Sequence, residues 1–223
     1  MLILSIDTST KSSSVALHQA GKLLALSEFF AERTASHSLT VAIEQIIRNS
    51  GLSPQDLQAV AVSKGPGSYT GLRVGVAAAK GLCYALGKPL IAIDTLEIMA
   101  FGAKDFYPDG DHYLCPVIDA RRMEVFCALY DQDLNVIAPV AAIIIDQNSF
   151  SDILVGKKIV FMGDGAAKCE NKLVTRMGSV FLKQYNPSAR FLGQLAWNRF
   201  QNSIFENVQT FEPFYLKEFL RYC

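Results

Sequence analysis

Ser63-Lys64-Gly65-Pro66-Gly67-Ser68-Tyr69-Thr70-Gly71-Leu72-Arg73 is the stretch on which the reading of this chain turns. It joins a short apolar run at 59–63 to a segment of helical composition that reaches about Leu86, where Gly87-Lys88-Pro89 stops it. Residues 90–93 are apolar again and read as a strand, followed by Asp94-Thr95 and a helix over 96–103. Strand, loop, helix, strand over 59–93 is a βαβ unit with a parallel pair of strands. Two glycines around a proline let the backbone turn tightly and present N–H groups, and a following helix N-terminus favours an anion. The loop is not a P-loop, because no Gly-Lys-Ser/Thr follows at the right distance. Nor is it GxGxxG, because Thr70 stands where the third glycine would be. Two readings stay open at this point: an anion cradle, or a strand-to-helix turn with a capped start.

Upstream, residues 2–6 read as a strand ending at Asp7, 8–13 as a polar turn, and 14–19 and 23–30 as two further strands around Gly21. This is an antiparallel meander. Residues 36–49 place Leu39, Ile43, Ile46 and Ile47 on one helical stripe beside Ala42. Ser36 or Ser38 is placed to cap that helix, Gly51 to end it, and Ser53-Pro54 to start a short helical turn. Downstream, the Pro/Gly/Asp-rich stretch 105–111 marks a boundary. Strands are expected at 113–118, 124–130, 135–137, 142–145 and 158–162, a short helix at 149–154, a tight turn at Gly163-Asp164-Gly165, and a helix from Ala189 to about Asn207. The two halves share an order of meandering strands, then helices and a further strand, with no residue-level repeat.

Composition excludes several classes. The chain has 223 residues with 21 Lys+Arg against 21 Asp+Glu, half of its residues are hydrophobic, and mean hydropathy is +0.21. Residues 1–105 carry 9 basic and 8 acidic side chains and residues 106–223 carry 12 and 13. Neither half has the basic footprint of an autonomous polyanion binder. Low charge and high apolar content argue for a folded core, large enough to need no disulfide or metal staple. The N-terminus lacks a basic region before Asp7, so no signal peptide is expected. The longest apolar run, near 140–145, is far short of the roughly 18 residues of a spanning helix. Cys83, Cys115, Cys127, Cys169 and Cys223 are scattered, odd in number and without a CxxC pair, as expected of reduced cytoplasmic thiols. His18, His37 and His112 show neither HxxxH nor HExxH spacing, so no helical zinc site of that type exists.

Ile6-Asp7-Thr8-Ser9, His37-Ser38, the Ser63-to-Arg73 string and Pro213-Phe214-Tyr215-Leu216-Lys217 together resemble the TsaB (YeaZ) family. The match runs through most of the chain and is strongest over 1–95. Lys217 departs from it, the family usually having arginine there. The resemblance implies an α/β ASKHA fold: two actin-like/ribonuclease-H-like lobes with mixed sheets flanked by helices. These lobes are expected at 1–105 and 106–223, with the C-terminal segment packing back on the first. It implies a non-catalytic, M22 peptidase-like relative of the TsaD (Kae1-like) proteins. Such a subunit pairs with a TsaD-like catalytic subunit and a TsaE-like ATPase to form N6-threonylcarbamoyladenosine beside the anticodon of tRNAs reading ANN codons. It meets tRNA indirectly through the complex, is a homodimer when alone, and involves no membrane.

The residues agree with a non-catalytic role. His37 stands alone, with Val41 at i+4 where a metal-binding helix would place a second histidine. No GxSxG elbow occurs, and Cys83 sits mid-helix as an inert thiol. Three loops occupy the nucleotide-binding places of an actin-like plan: Asp7-Thr8-Ser9, then Gly65, Gly67, Ser68 and Thr70, then Gly163 and Gly165. Thr8 and Ser9 stand where nucleotide binders want glycine in the turn, so the loops read as vestigial, with weak nucleotide binding or none, no metal and no catalytic residue. The helix after the loop carries Gly71, Gly75 and Ala79 at i, i+4, i+8, with Leu72, Val76 and Leu82 adding apolar surface. Together with His37, Leu39, Ile43, Ile46 and Ile47 they form the expected partner interface. The alternative is burial against this chain's own sheet. On the interface reading, Gly75→Leu or Ala79→Arg abolishes pairing and spares the monomer. The competing functions are an ASKHA-class enzyme acting alone, as an M22-type peptidase or a small-molecule kinase with Asp94 as its carboxylate, and a scaffold without any link to RNA.

Overall fold

The computed structural model describes residues 1–30, 35–107, 112–150, 157–173 and 179–216. All six residues of strand β1 (Leu2–Asp7) are buried, so its sheet is covered on both faces. β1 pairs antiparallel with β2 (Ser13–Gln19), which pairs antiparallel with β3 (Lys22–Phe29). The chain then forms helix α1 (Ala35–Asn49), strand β4 (Ala59–Gly65), helix α2 (Tyr69–Leu86) and strand β5 (Leu90–Asp94). β4 lies parallel to both β1 and β5, giving the order β3-β2-β1-β4-β5. Helix α3 (Thr95–Ala103) follows directly. Alternation along β1 and β2 points Leu2, Leu4, Ile6, Val15 and Leu17 to one face. There they form a core with Leu39, Ile43, Ile46 and Ile47 of α1 and Val76, Ala79 and Cys83 of α2.

The second sheet repeats the plan. β6 (His112–Asp119), β7 (Glu124–Tyr130) and β8 (Val136–Ile144) form an antiparallel meander. β9 (Lys158–Met162) runs parallel to β6, helix α4 (Ala166–Leu173) follows, and β10 (Val180–Leu182) runs parallel to β9. The order β10-β9-β6-β7-β8 is the first sheet's order read from the other edge. Its core joins Cys115, Val117, Val125, Leu129 and Phe161 to Cys169 and Leu173 of α4.

The chain divides elsewhere than at 105/106. One compact unit is Met1–Ile98 with Pro187–Tyr215; the other is built on Met99–Asn186. The reason is helix α5 (Ala189–Gln201), which packs on β1 and β2 and buries Ala189, Leu192, Gly193, Leu195 and Ala196. Its seat is polar as well as apolar. Ala189 N–H donates to Ser14 Oγ at 2.8 Å, and His18 Nε2–H donates to Arg190 O at 2.8 Å. Gly193 is required there, since a Cβ would fall on the His18 ring.

Other departures are local. The two strands expected at 135–137 and 142–145 are one edge strand, β8, and Pro139 is tolerated there because pairing with β7 is irregular. α5 ends at Gln201, well before Asn207. α4 and β10 carry no sequence pattern long enough to read, α4 burying only Ala166, Cys169 and Leu173. The helix expected over 149–154 falls mostly outside the described residues, as do Lys217 and the side chain of His37. Among the described residues no helix is long and apolar enough to cross a membrane.

Candidate functional site

The first unit brings Asp7, Thr8 and Ser9 together with Gly65, Gly67 and Ser68. Asp7 ends β1, fully buried, and its Oδ1 accepts the Ser9 N–H at 3.2 Å and the Ser9 hydroxyl at 3.0 Å. Burial raises its pKa above the usual carboxylate range, against the pull of the Ser9 hydrogen bonds. The Ser68 N–H donates to Ser9 O at 2.7 Å, and Ser68 Oγ caps α2 by accepting the Gly71 N–H at 3.2 Å. The Thr8 hydroxyl donates to Gly71 O at 2.7 Å. A Cβ at Gly67 would fall on Ser9 O, one at Gly71 on Thr8 O, and one at Gly75 on Thr8 Oγ1. The loop thus has the capped helix start of one of its two readings. The N–H group of Ser68 is given to the loop after β1.

The second unit carries the counterpart of this device. Asp119 ends β6 as Asp7 ends β1, and its Oδ1 likewise accepts the N–H two residues on, from Arg121 at 2.6 Å. Gly163 follows β9 with φ +122°, and Gly65 ends β4 with φ +116°. Gly165 N–H donates to Val117 O at 3.2 Å, and Asp119 N–H to Asp164 Oδ1 at 2.8 Å. The cation beside Asp119 is the chain's own: Lys168 Nζ lies 2.6 Å from Oδ1 and 3.2 Å from Glu124 O. Gly163 and Gly165 thus serve this turn in their own unit. No group of three or more His, Cys, Asp or Glu is placed to hold a metal ion among the described residues.

The expected partner interface needs correction. Leu39, Ile43, Ile46, Ile47, Leu72, Val76 and Ala79 are at most 7% exposed, and Gly71 and Gly75 are buried with them. Leu82 is half-buried against the same core. The stripe Gly71-Gly75-Ala79 is small because Thr8 and the sheet lie against it, so these residues have no surface left for a partner. Gly75→Leu and Ala79→Arg would therefore strike the core. The outward face of α2 instead shows Arg73, Ala77, Gly81, Tyr84 and Ala85, and α1 shows Val41. A Cβ at Gly81 would meet open space, and Tyr84 is 80% exposed. The i, i+4, i+8 spacing of Ala77, Gly81 and Ala85 was present in the sequence, but two such stripes run along α2 and only packing selects the outward one.

Asp94 caps α3 by accepting the Leu96 N–H at 2.9 Å, and burial pushes its pKa up to about 6. Burial pushes the Cys83 thiol up to about 11, consistent with an inert side chain.

A family model described as TsaD, tRNA N6-adenosine threonylcarbamoyltransferase, matches residues 29–219. The chain is 37% identical to the tRNA threonylcarbamoyladenosine biosynthesis protein TsaB of Bacillus subtilis over 132 residues, 58% of this chain and 55% of that protein. It is 38% identical to the protein of the same name from Escherichia coli over 135 residues, 60% of this chain and 57% of that one. The chain thus spans little more than half the length of the curated relatives it matches. Among solved structures, YeaZ from Pseudomonas aeruginosa superposes with a TM-score of 0.83 at 24% identity, covering 96% of this chain and 99% of that one. The fold is accordingly the ASKHA, actin-like one, with two mixed sheets flanked by helices. With most of its length under that one family model, the chain belongs to the TsaD family, and its named relatives in Bacillus subtilis and Escherichia coli are called TsaB.

Proposed function

We propose that this chain is the accessory, dimerising subunit of a complex that forms N6-threonylcarbamoyladenosine next to the anticodon of tRNAs reading ANN codons. It binds and supports a TsaD-like catalytic subunit, alongside a TsaE-like ATPase, in the cytoplasm, and pairs with a second copy of itself when alone. The observation that carries the reading is the outward face of α2. Ala77, Gly81 and Ala85 form a small-residue stripe bordered by the exposed Tyr84, with Val41 exposed on α1. Small residues let a second helix approach closely, and an aromatic side chain with most of its surface in water is a common anchor of protein interfaces. The chain does no chemistry in this reading. Its two loop pairs are hydrogen-bonded within themselves, Ser68 with Ser9 and Asp119 with Lys168, which supports this reading. With zero net charge, it meets tRNA through its partners.

The test is reconstitution with a TsaD-like partner, assaying tRNA modification with and without this chain and co-elution with Gly81→Leu. Leucine is the better helix former at an exposed position, by roughly 0.5–1 kcal/mol. The variant is therefore expected to stay folded and to lose co-elution. Full modification without the chain, or undisturbed pairing of Gly81→Leu, would sink the proposal. The runner-up is an ASKHA-class kinase acting alone, favoured by the Asp94 carboxyl held near neutrality. ATP-dependent phosphorylation by the isolated chain, lost in Asp94→Asn, would support it.

A further inference from the structure

Residues 202–215 form no helix or strand, yet they are tied down at five places in the first unit. Glu206 N–H donates to Leu90 O at 2.9 Å, at the start of β5. Val208 and Phe211 pack against the apolar core between the sheet and α2. Lys80, midway along α2, donates from Nζ to Phe211 O at 2.8 Å and to Gln209 O at 3.3 Å. Phe214 N–H donates to Lys64 O at 2.7 Å, immediately before the Gly65-Pro66-Gly67 loop. A Cβ at Gly65 would meet Phe214 O, so the loop's first glycine is pressed against the segment's backbone. Tyr215 then packs against Tyr69, the first residue of α2, with ring centroids 4.8 Å apart and planes tilted by 35°. The Arg73 guanidinium lies 5.4 Å from the centre of the Tyr69 ring.

We infer that residues 206–215 form a strap latched by Lys80, and that this strap clamps the Gly-Pro-Gly loop against the turn after β1. The loop is gripped from two sides. The Ser68 N–H holds it to Ser9, and Phe214 holds it at Lys64 and Gly65. Gly65 sits at φ +116°, a backbone region open to glycine and few other residues, and without a Cβ it lets Phe214 O lie against it. Lys80 is suited to the latch. Its ammonium reaches two carbonyls of a segment with no ladder of its own. The Pro213-Phe214-Tyr215 motif is thereby a clamp on the loop, and Lys80 is a positioning residue that acts through it.

The inference stands apart from the proposed partner, and its test uses the full chain alone. Lys80→Met keeps the stem and the helix propensity and removes the donors. Hydrogen exchange is expected to accelerate about tenfold in both 206–215 and 64–72, with β1, β2 and α5 unchanged. Tyr215→Ala, with Lys80 intact, is expected to accelerate 64–72 while 206–211 stays protected. Acceleration confined to 206–215 in the first variant, or protection of 64–72 in both, would overturn the clamp. Unchanged exchange of 206–215 in Lys80→Met would overturn the latch.

Discussion

Single residues in this chain are constrained by what a neighbour's backbone demands. Gly75 looks like a contact point for another helix, yet its missing Cβ is where Thr8 Oγ1 sits. Gly75→Leu is expected to destabilise the first unit by about 3 kcal/mol or more through overpacking, read as a lowered denaturant midpoint of the isolated chain. His18 is fully buried on β2; its Nε2–H donates to a carbonyl that can only accept, and its Nδ1 has no partner among the described residues. Burial lowers its pKa below 6.5, so below that pH the unfolded chain takes up the proton first. Its contribution to stability is therefore complete above pH 6.5 and is lost as pH falls towards the folded pKa. Asp94 has the opposite sign. Raised from 3.8 to about 6, it binds its proton more tightly in the folded state, so its ionisation costs stability as pH rises through 6. Asp94→Asn, which keeps a competent helix cap, is expected to stabilise the chain at pH 7.5 by up to about 3 kcal/mol. That gain should vanish at pH 4. Equal gains at both values would show that the carboxyl is not held by burial.

At the scale of elements, periodicity identifies a helix but does not orient it when two of its faces qualify. α2 carries Gly71-Gly75-Ala79 and Ala77-Gly81-Ala85, both at helical spacing. The first is taken by Thr8 and the sheet, which leaves the second exposed. α5 shows the complementary case. Its apolar residues are legible as a stripe, but its place on the first sheet is decided by Ser14 and His18, far away in sequence. A chain cut after Asn186 would leave that face of β1 and β2 uncovered. It is expected to lose the cooperative unfolding transition of the first unit, while Leu192→Ala in the full chain is expected to cost 2–5 kcal/mol. Calorimetry of both checks this, and retention of the full transition in the cut chain would contradict the role given to α5.

For the whole molecule, the same five-stranded plan is built twice, each time with an aspartate ending the first strand of the meander and a positive-φ glycine at or just past the end of the neighbouring parallel strand. The two versions satisfy their aspartates differently, one with a serine and one with an ammonium. The described cysteines are all buried and free, and burial pushes Cys169 up to about 12. Native Cys83, Cys115, Cys127 and Cys169 are expected to react with a thiol reagent at least a hundredfold more slowly than in denaturant, measured residue by residue by mass spectrometry. Fast native labelling of any of the four would show that its core opens readily. If the chain works as a paired subunit, its melting temperature should also rise with added partner by simple mass action.

The amino-acid sequence by itself determined the βαβ unit around the Gly-Pro-Gly loop, the two meanders and the family. These rest on local turn chemistry, on periodicity and on a string of residues that few folds share. The resemblance also carried the Asp7 and Gly65 loops as a pair, through the actin-like plan it implies. Only the tertiary structure decided which stripe of α2 faces inward, that α5 belongs with the first sheet, and that Lys80 and Lys168 serve internal carbonyls and a carboxylate. Each of those depends on contacts between residues dozens of positions apart. Packing, and the need to satisfy buried polar groups, choose among arrangements that local pattern leaves equal.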